Sequence, residues 1–244
     1  MLFLRACLYY SLMFVTLVLF TGFGLLISPC PHRWRYAVIS HWAQFNIAAL
    51  KVICGIDWRV SGLENIPQGP AIIACKHQSA WETMALQSFF PIQVWVAKRE
   101  LLWLPVFGWC LATLRPIAID RSAGKKALQQ IIDQGTQRLK EGIWVVIFPE
   151  GTRVGPHQSK RYGIGTGKLA EHSGYPIVPV AHNAGLFWSR NSFIKYPGTI
   201  DVVIGPPIKP QGRVATALTR EIQEWIDGTS NRLVAEAEAR GKAR

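Results

Sequence analysis

The stretch Val145-Val146-Ile147-Phe148-Pro149-Glu150-Gly151-Thr152-Arg153 passes from a buried strand into a sharp turn. Four successive apolar residues are too few for a helix and read as a strand covered on both faces. Pro149 has no N–H to offer a neighbouring strand and ends it, and Gly151 permits a tight turn. Glu150 and Arg153 then stand at the strand's end, where sites of open α/β sheets gather. Taken alone, the same residues also describe an ordinary strand and a solvated turn.

Outward from this run the pattern repeats. Short apolar stretches at 71–74, 94–97, 117–119, 177–180 and 202–204 read as further buried strands. Helical patterns cover 81–90, 125–140, 167–173 and 216–239. The alternation predicts an α/β domain with a mostly parallel sheet flanked by helices. The tail 238–244 reads as solvated.

The 244 residues carry a net charge of +12 and ten tryptophans, with only 17% charged side chains. That balance points to an anionic partner at an apolar boundary. No basic run has the length of a nucleic-acid tail, so a membrane surface is the better reading and nucleic acid is excluded as a partner. The five cysteines are widely spaced and odd in number, which argues for reduced thiols. No Cys or His spacing suggests a metal.

Residues 6–30 form a run of 25 without a charged side chain. As a helix it would reach roughly 37 Å, enough to cross a hydrocarbon core of about 30 Å. It is long for a signal peptide and lacks a small-x-small cleavage site. His32-Arg33-Trp34-Arg35 follows as an interfacial mark. A second apolar stretch, 36–56, reads either as a helix lying in the membrane plane or as one packed on the domain core. The expected organisation is therefore helices of an N-terminal membrane anchor at 1–57 and an α/β domain at 58–244.

A second element, Lys76-His77-Gln78-Ser79-Ala80-Trp81-Glu82, follows the strand at 71–74. It puts His77 at a strand-to-helix junction, where a neutral imidazole can take a proton from a hydroxyl. Glu82 is the candidate to hold its other ring nitrogen. Ser79-x-x-Glu82 is also a capping box, so Glu82 has a purely structural reading as well.

His77 with an acid five residues on, then Phe148-Pro149-Glu150-Gly151-Thr152-Arg153, resembles the signature of the glycerolipid acyltransferase family, and within it the bacterial lysophosphatidate acyltransferases. Between the two lie Lys98, Leu101, Pro105, Gly108 and Ile117-Ala118-Ile119-Asp120-Arg121, similar to the family's middle motif. Ile177-Val178-Pro179-Val180 resembles its fourth. The likeness runs from about Trp58 to Pro207. Two positions depart from it. Glu82 replaces the usual aspartate, and Arg115 stands where a glycine is common.

The resemblance implies transfer of an acyl chain from acyl-CoA or acyl-carrier protein to the 2-hydroxyl of 1-acylglycerol 3-phosphate, at the bacterial inner membrane with the catalytic domain facing the cytoplasm. His77 would be the base and Glu82 its support. The substrate supplies the nucleophile, so no enzyme nucleophile, cofactor or metal is implied. Backbone N–H groups at the helix start after His77 are candidate oxyanion donors. Lys98, Arg121, Glu150, Gly151, Thr152 and Arg153 would form the acceptor site, with Arg121 and Arg153 on the phosphate. Pro179 would lie on the acyl-binding side or shape the sheet. Membrane lipids and lysophosphatidate are the implied partners. Glycerol 3-phosphate or a lyso-ornithine lipid as acceptor, and a non-catalytic lipid-binding role, are the alternatives.

Overall fold

The computed structural model describes residues 1–241. The chain begins with two helices, α1 (Leu2–Leu26) and α2 (His32–Cys54), and continues as β1 (Ile56–Ser61), β2 (Ile72–Cys75), α3 (Trp81–Phe89), β3 (Gln93–Lys98), α4 (Phe107–Thr113), β4 (Ile117–Ile119), α5 (Lys125–Lys140), β5 (Trp144–Ile147), α6 (Gly165–Ser173), β6 (Ile177–His182), β7 (Gly198–Ile204) and α7 (Ala215–Ala239). The seven strands form one sheet in the order β1-β7-β6-β2-β5-β3-β4. All neighbours are parallel except β6 and β7. The mostly parallel sheet thus stands as the alternation indicates.

Strands covered on both faces carry apolar side chains at every position. In β2, Ile73 and Cys75 enter one core with residues of α2 and α3, while Ile72 and Ala74 enter another with residues of α5, α6 and α7. Three details differ from the sequence reading. The strand β1 starts at Ile56, inside the stretch assigned to the anchor, and Asp57 and Arg59 hide its apolar alternation. The helix α4 had no place in the sequence reading. The helix α7 holds Glu238 and Ala239, so the expected tail shrinks, and its residues 242–244 lie outside the described part.

Helix α2 packs on the domain through Tyr36, Ile39, Ala43, Ile47 and Leu50, which settles its inner face as core. Helix α1 runs beside it, and Trp42 Nε1 donates to the Thr16 hydroxyl at 3.1 Å. Lys195 Nζ, buried below the α1 side, lies 3.4 Å from the Tyr10 ring centre and 4.7 Å from that of Trp188. Such cation–π contacts hold α1 to the domain. The outer face of α1 stays bare: Phe14, Val15, Leu19, Phe23 and Leu26 are exposed. Both helices are long and apolar enough to cross a membrane.

Between β3 and α4 the chain makes a strained turn. Val106 sits at φ 64 and ψ −65, and the Phe107 N–H donates to the Pro105 carbonyl at 2.7 Å. That is a γ-turn of the strained hand, and a β-branched residue is an outlier there. Gly108 lets the turn close, since a Cβ would stand 2.4 Å from the Leu102 carbonyl oxygen.

Candidate active site

Register brings the two sequence elements together. Ala74 of β2 pairs with Ile147 of β5. Three residues beyond each partner stand His77 and Glu150, side by side at the carboxyl end of the sheet. The Glu150 carboxylate accepts the His77 N–H at 2.9 Å. The His77 carbonyl accepts the Val154 N–H at 2.8 Å. The Phe148 ring lies flat against the imidazole, with centroids 4.0 Å apart and planes 16° apart.

Glu82 does both jobs its spacing allowed. Its Oε1 is 2.8 Å from His77 Nδ1, and the same atom accepts the N–H groups of Gln78 at 2.9 Å and Ser79 at 2.8 Å. Ser79 Oγ in turn accepts the Trp81 N–H at 3.2 Å. The extra methylene lets one carboxylate span the helix start and reach back to the ring. Burial works to raise the Glu82 carboxyl pKa, but His182, His77 and the Ser79 N–H more than offset it and hold it below the ordinary glutamate value. An ionised carboxylate only accepts, so Nδ1 carries the proton and Nε2 is the free, basic nitrogen. The same contacts occupy the N–H groups of Gln78, Ser79 and Trp81. Those three groups are not open to an oxyanion, which narrows the expectation for this helix start.

Sequence reasoning missed the support beneath. Lys76 is buried, 2.9 Å from Glu150 Oε1 and 2.7 Å from Asp227 Oδ1 on α7. The Tyr162 hydroxyl donates to Asp227 at 3.1 Å, and the Ser159 hydroxyl at 3.2 Å. Burial raises the Glu150 carboxyl above its usual range, with Lys76 pulling the other way. Buried His182 accepts the Ala184 N–H on Nδ1 at 3.2 Å and donates from Nε2 to the Lys76 carbonyl at 2.8 Å. Burial depresses its pKa, with the Glu82 carboxylate pulling the other way. A lysine at a strand end gives no hint in the sequence of partners 74 and 151 positions away; only the fold does.

His77 opens on an apolar cavity of about 200 Å³. Its walls include Leu17 of α1, Ile39 and Trp42 of α2, Met84 of α3, and Leu111 and Leu114 around α4. Lys98 and Arg121 line it too. Arg121 Nη1 donates to the Gly151 carbonyl, and Gly151 takes φ 68, the left-handed turn its place requires. Lys98 reaches Glu100 at 3.2 Å.

The other expected acceptor residues are distributed differently. The Glu150 carboxylate faces inward to Lys76 and the His77 backbone, so it acts beneath the site. Thr152 and Arg153 line a neighbouring basic pocket with Lys160 and Arg190, whose Nη1 donates to the Arg153 carbonyl at 3.1 Å. Pro179 is buried in β6, away from the His77 cavity, with its carbonyl taking the Gly205 N–H at 2.8 Å. It shapes the sheet. Arg115 stands at φ 55, which explains why glycine suits this position, and its guanidinium pairs with Glu141 at 3.1 Å. It is not a cation at the cavity. Among the described residues no group of His, Cys, Asp and Glu has the arrangement of a metal site.

A base held by a carboxylate at a strand-to-helix junction, beside an apolar cavity with cations at its wall, defines a site suited to acyl transfer onto a hydroxyl that the substrate brings. The family model described as Acyltransferase matches residues 57–183, and the chain belongs to that family. It is 45% identical over 231 residues to the 1-acyl-sn-glycerol-3-phosphate acyltransferase of Pseudomonas aeruginosa, covering 93% of this chain and 90% of that protein. It is 27% identical over 191 residues to the human 1-acyl-sn-glycerol-3-phosphate acyltransferase alpha, covering 77% and 68%. The fold matches the crystal structure of the 1-acyl-sn-glycerophosphate acyltransferase of Thermotoga maritima with a TM-score of 0.79 at 22% identity, over 94% of this chain and 95% of that one.

Proposed function

We propose that the protein transfers an acyl chain from a thioester to the 2-hydroxyl of 1-acyl-sn-glycerol 3-phosphate, forming phosphatidate. The observation that carries this reading is that His77, its Nδ1 held by Glu82, lines the same apolar cavity as Lys98 and Arg121. The names of the Pseudomonas and human relatives support the same acceptor. The acceptor hydroxyl gives its proton to Nε2 while its oxygen attacks the thioester carbonyl. Glu82 balances the imidazolium that forms, and collapse of the tetrahedral centre releases the thiol of acyl-CoA or acyl-carrier protein, which takes the proton back. Arg121, with Lys98 near and Arg153 across the Gly151 turn, holds the acceptor phosphate.

The reaction joins two lipids, and α1 gives the domain an apolar face toward the bilayer. We assign the protein to the inner membrane, with its domain on the cytoplasmic side. Arg33 and Arg35, in the first turn of α2, favour that orientation.

The purified protein is to be assayed with labelled acyl-CoA and acyl-carrier protein against lysophosphatidate, glycerol 3-phosphate and a lyso-ornithine lipid. Turnover is expected with lysophosphatidate. Turnover confined to another acceptor overturns the substrate assignment, and binding of lysophosphatidate without turnover overturns the enzymatic one.

A further inference from the structure

We infer that the turn at 101–109 is a second membrane-inserting element, separate in sequence from the N-terminal helices, and that its partner is the bilayer itself. The inference rests on the membrane reading above and extends it to a part of the catalytic domain.

Residues 101–114 contain no charged side chain, and the run is bracketed by Lys98, Arg99 and Glu100 on one side and Arg115 on the other. A soluble domain normally buries such a stretch. Here Trp103 is 68% exposed, Trp109 52% and Leu104 48%, with Phe107 beside them. Single exposed apolar residues mean little, but a contiguous cluster marks a surface that is covered in use. The strained Val106 and the close Gly108 contact show that this outward presentation is built into the backbone. Strain of that kind persists where the surrounding structure enforces it.

The bilayer is the occupant because the cluster continues a face already suited to lipid. The Thr21 hydroxyl of α1 reaches the Val106 carbonyl at 3.4 Å, so the turn sits against the bare C-terminal half of α1. Phe14, Val15, Leu19 and Phe23 of that helix are exposed to the same extent. Two tryptophans with arginine and lysine close by fit the boundary between headgroups and chains. The turn also walls the cavity through Leu101 and Phe107, opposite Leu17 of α1. A lipid chain held between these two elements passes from bilayer to cavity without crossing water.

The test uses the full chain with Cys7→Ser and Cys30→Ser, carrying one added cysteine labelled with an environment-sensitive dye. Trp103→Cys is the probe and Phe14→Cys reports α1. Gln211→Cys is the water control, since its neighbour Gly174 precedes β6 at the amino end of the parallel strands, whereas the turn follows β3 at their carboxyl end. Vesicles are phosphatidylethanolamine and phosphatidylglycerol with nitroxide on shallow acyl carbons. The dye at 103 is expected to shift blue and be quenched at least threefold, while that at 211 is unchanged. A dye at 103 that stays in water overturns the inference, whether or not position 14 is quenched. The second arm is Trp103→Ser with Trp109→Ser. It is expected to raise KM about tenfold for lysophosphatidate in vesicles and leave short-chain monomeric lysophosphatidate unaffected. Equal loss on both substrate forms overturns the inference, because the residues then serve the site directly. Absence of acceptor turnover in the unaltered protein with quenching intact at 103 removes the proposed function and leaves this inference standing.

Discussion

Lys76 Nζ lies 2.9 Å from Glu150 Oε1, and both side chains are almost wholly buried. Through Glu150 this pair reaches the His77 backbone, and through Asp227 it ties in α7. A buried pair adds little over apolar packing, yet removing one partner leaves a stranded charge at a cost of about 3–5 kcal/mol. Lys76→Met is therefore expected to lower the melting temperature by roughly 10 °C and to cut kcat more than KM. Adding Glu150→Gln removes the charge stranded at Glu150 while a side-chain oxygen still accepts the His77 N–H, and Asp227 keeps the Tyr162 and Ser159 hydroxyls as donors. The double variant should recover most of the stability, read by calorimetry, and bring kcat back to within about tenfold of the native enzyme.

His77→Ala is expected to lower kcat by roughly 10²–10⁴-fold, the range for a general base, with lysophosphatidate binding retained. Glu82→Gln keeps acceptors for the Gln78 and Ser79 N–H groups but cannot balance an imidazolium. Its kcat should fall by about two to three orders of magnitude with KM near native. Native turnover in Glu82→Gln would confine this residue to helix capping. Glu82→Asp shortens the reach and should impair both the ring contact and the melting temperature.

The depressed Glu82 pKa carries a stability signature. A carboxyl that is more acidic folded than unfolded stabilises the fold above its unfolded pKa, about 4.3. That contribution fades as pH falls through the lower folded value. The melting-temperature gap between native protein and Glu82→Gln should be full at pH 6 and shrink steadily below pH 4.

Arg115→Gly relieves a left-handed non-glycine residue worth about 1–2 kcal/mol and gives up a half-exposed pair worth at most about 1 kcal/mol. The melting temperature should rise by roughly 1–3 °C, with KM for lysophosphatidate unchanged. A raised KM would restore Arg115 to the acceptor site.

Phe148→Leu removes the ring that lies against the imidazole. A stacked pair is worth about 0.5–1.5 kcal/mol, so kcat should drop about three- to tenfold with little change in KM.

Much of the fold was readable because its strands are covered on both sides. Apolar runs such as 145–148 and 177–180 have no other use in a domain with so little charge. The strand β1 escaped because it lies at the sheet's edge, where Asp57 and Arg59 face solvent and break the run. The junction residues His77 and Glu82 were legible because five positions bridge one helix start. Lys76, Asp227, Tyr162 and His182 were not, since their contacts depend on which strands lie side by side. Glu150 was assigned to the substrate for the same reason: its motif is local, while its partner Lys76 is 74 residues earlier.

One oxygen of the Glu82 carboxylate, Oε1, is shared by the helix start and the imidazole, and Oε2 also accepts the Ser79 N–H at 3.1 Å. The first turn of α3 and the aim of the base therefore share one equilibrium. If that turn frays, the ring is released, and the enzyme is idle while still folded elsewhere. The amide protons of Gln78 and Ser79 become a gauge of this. Their exchange with solvent, followed by mass spectrometry, counts the fraction of molecules whose histidine is armed.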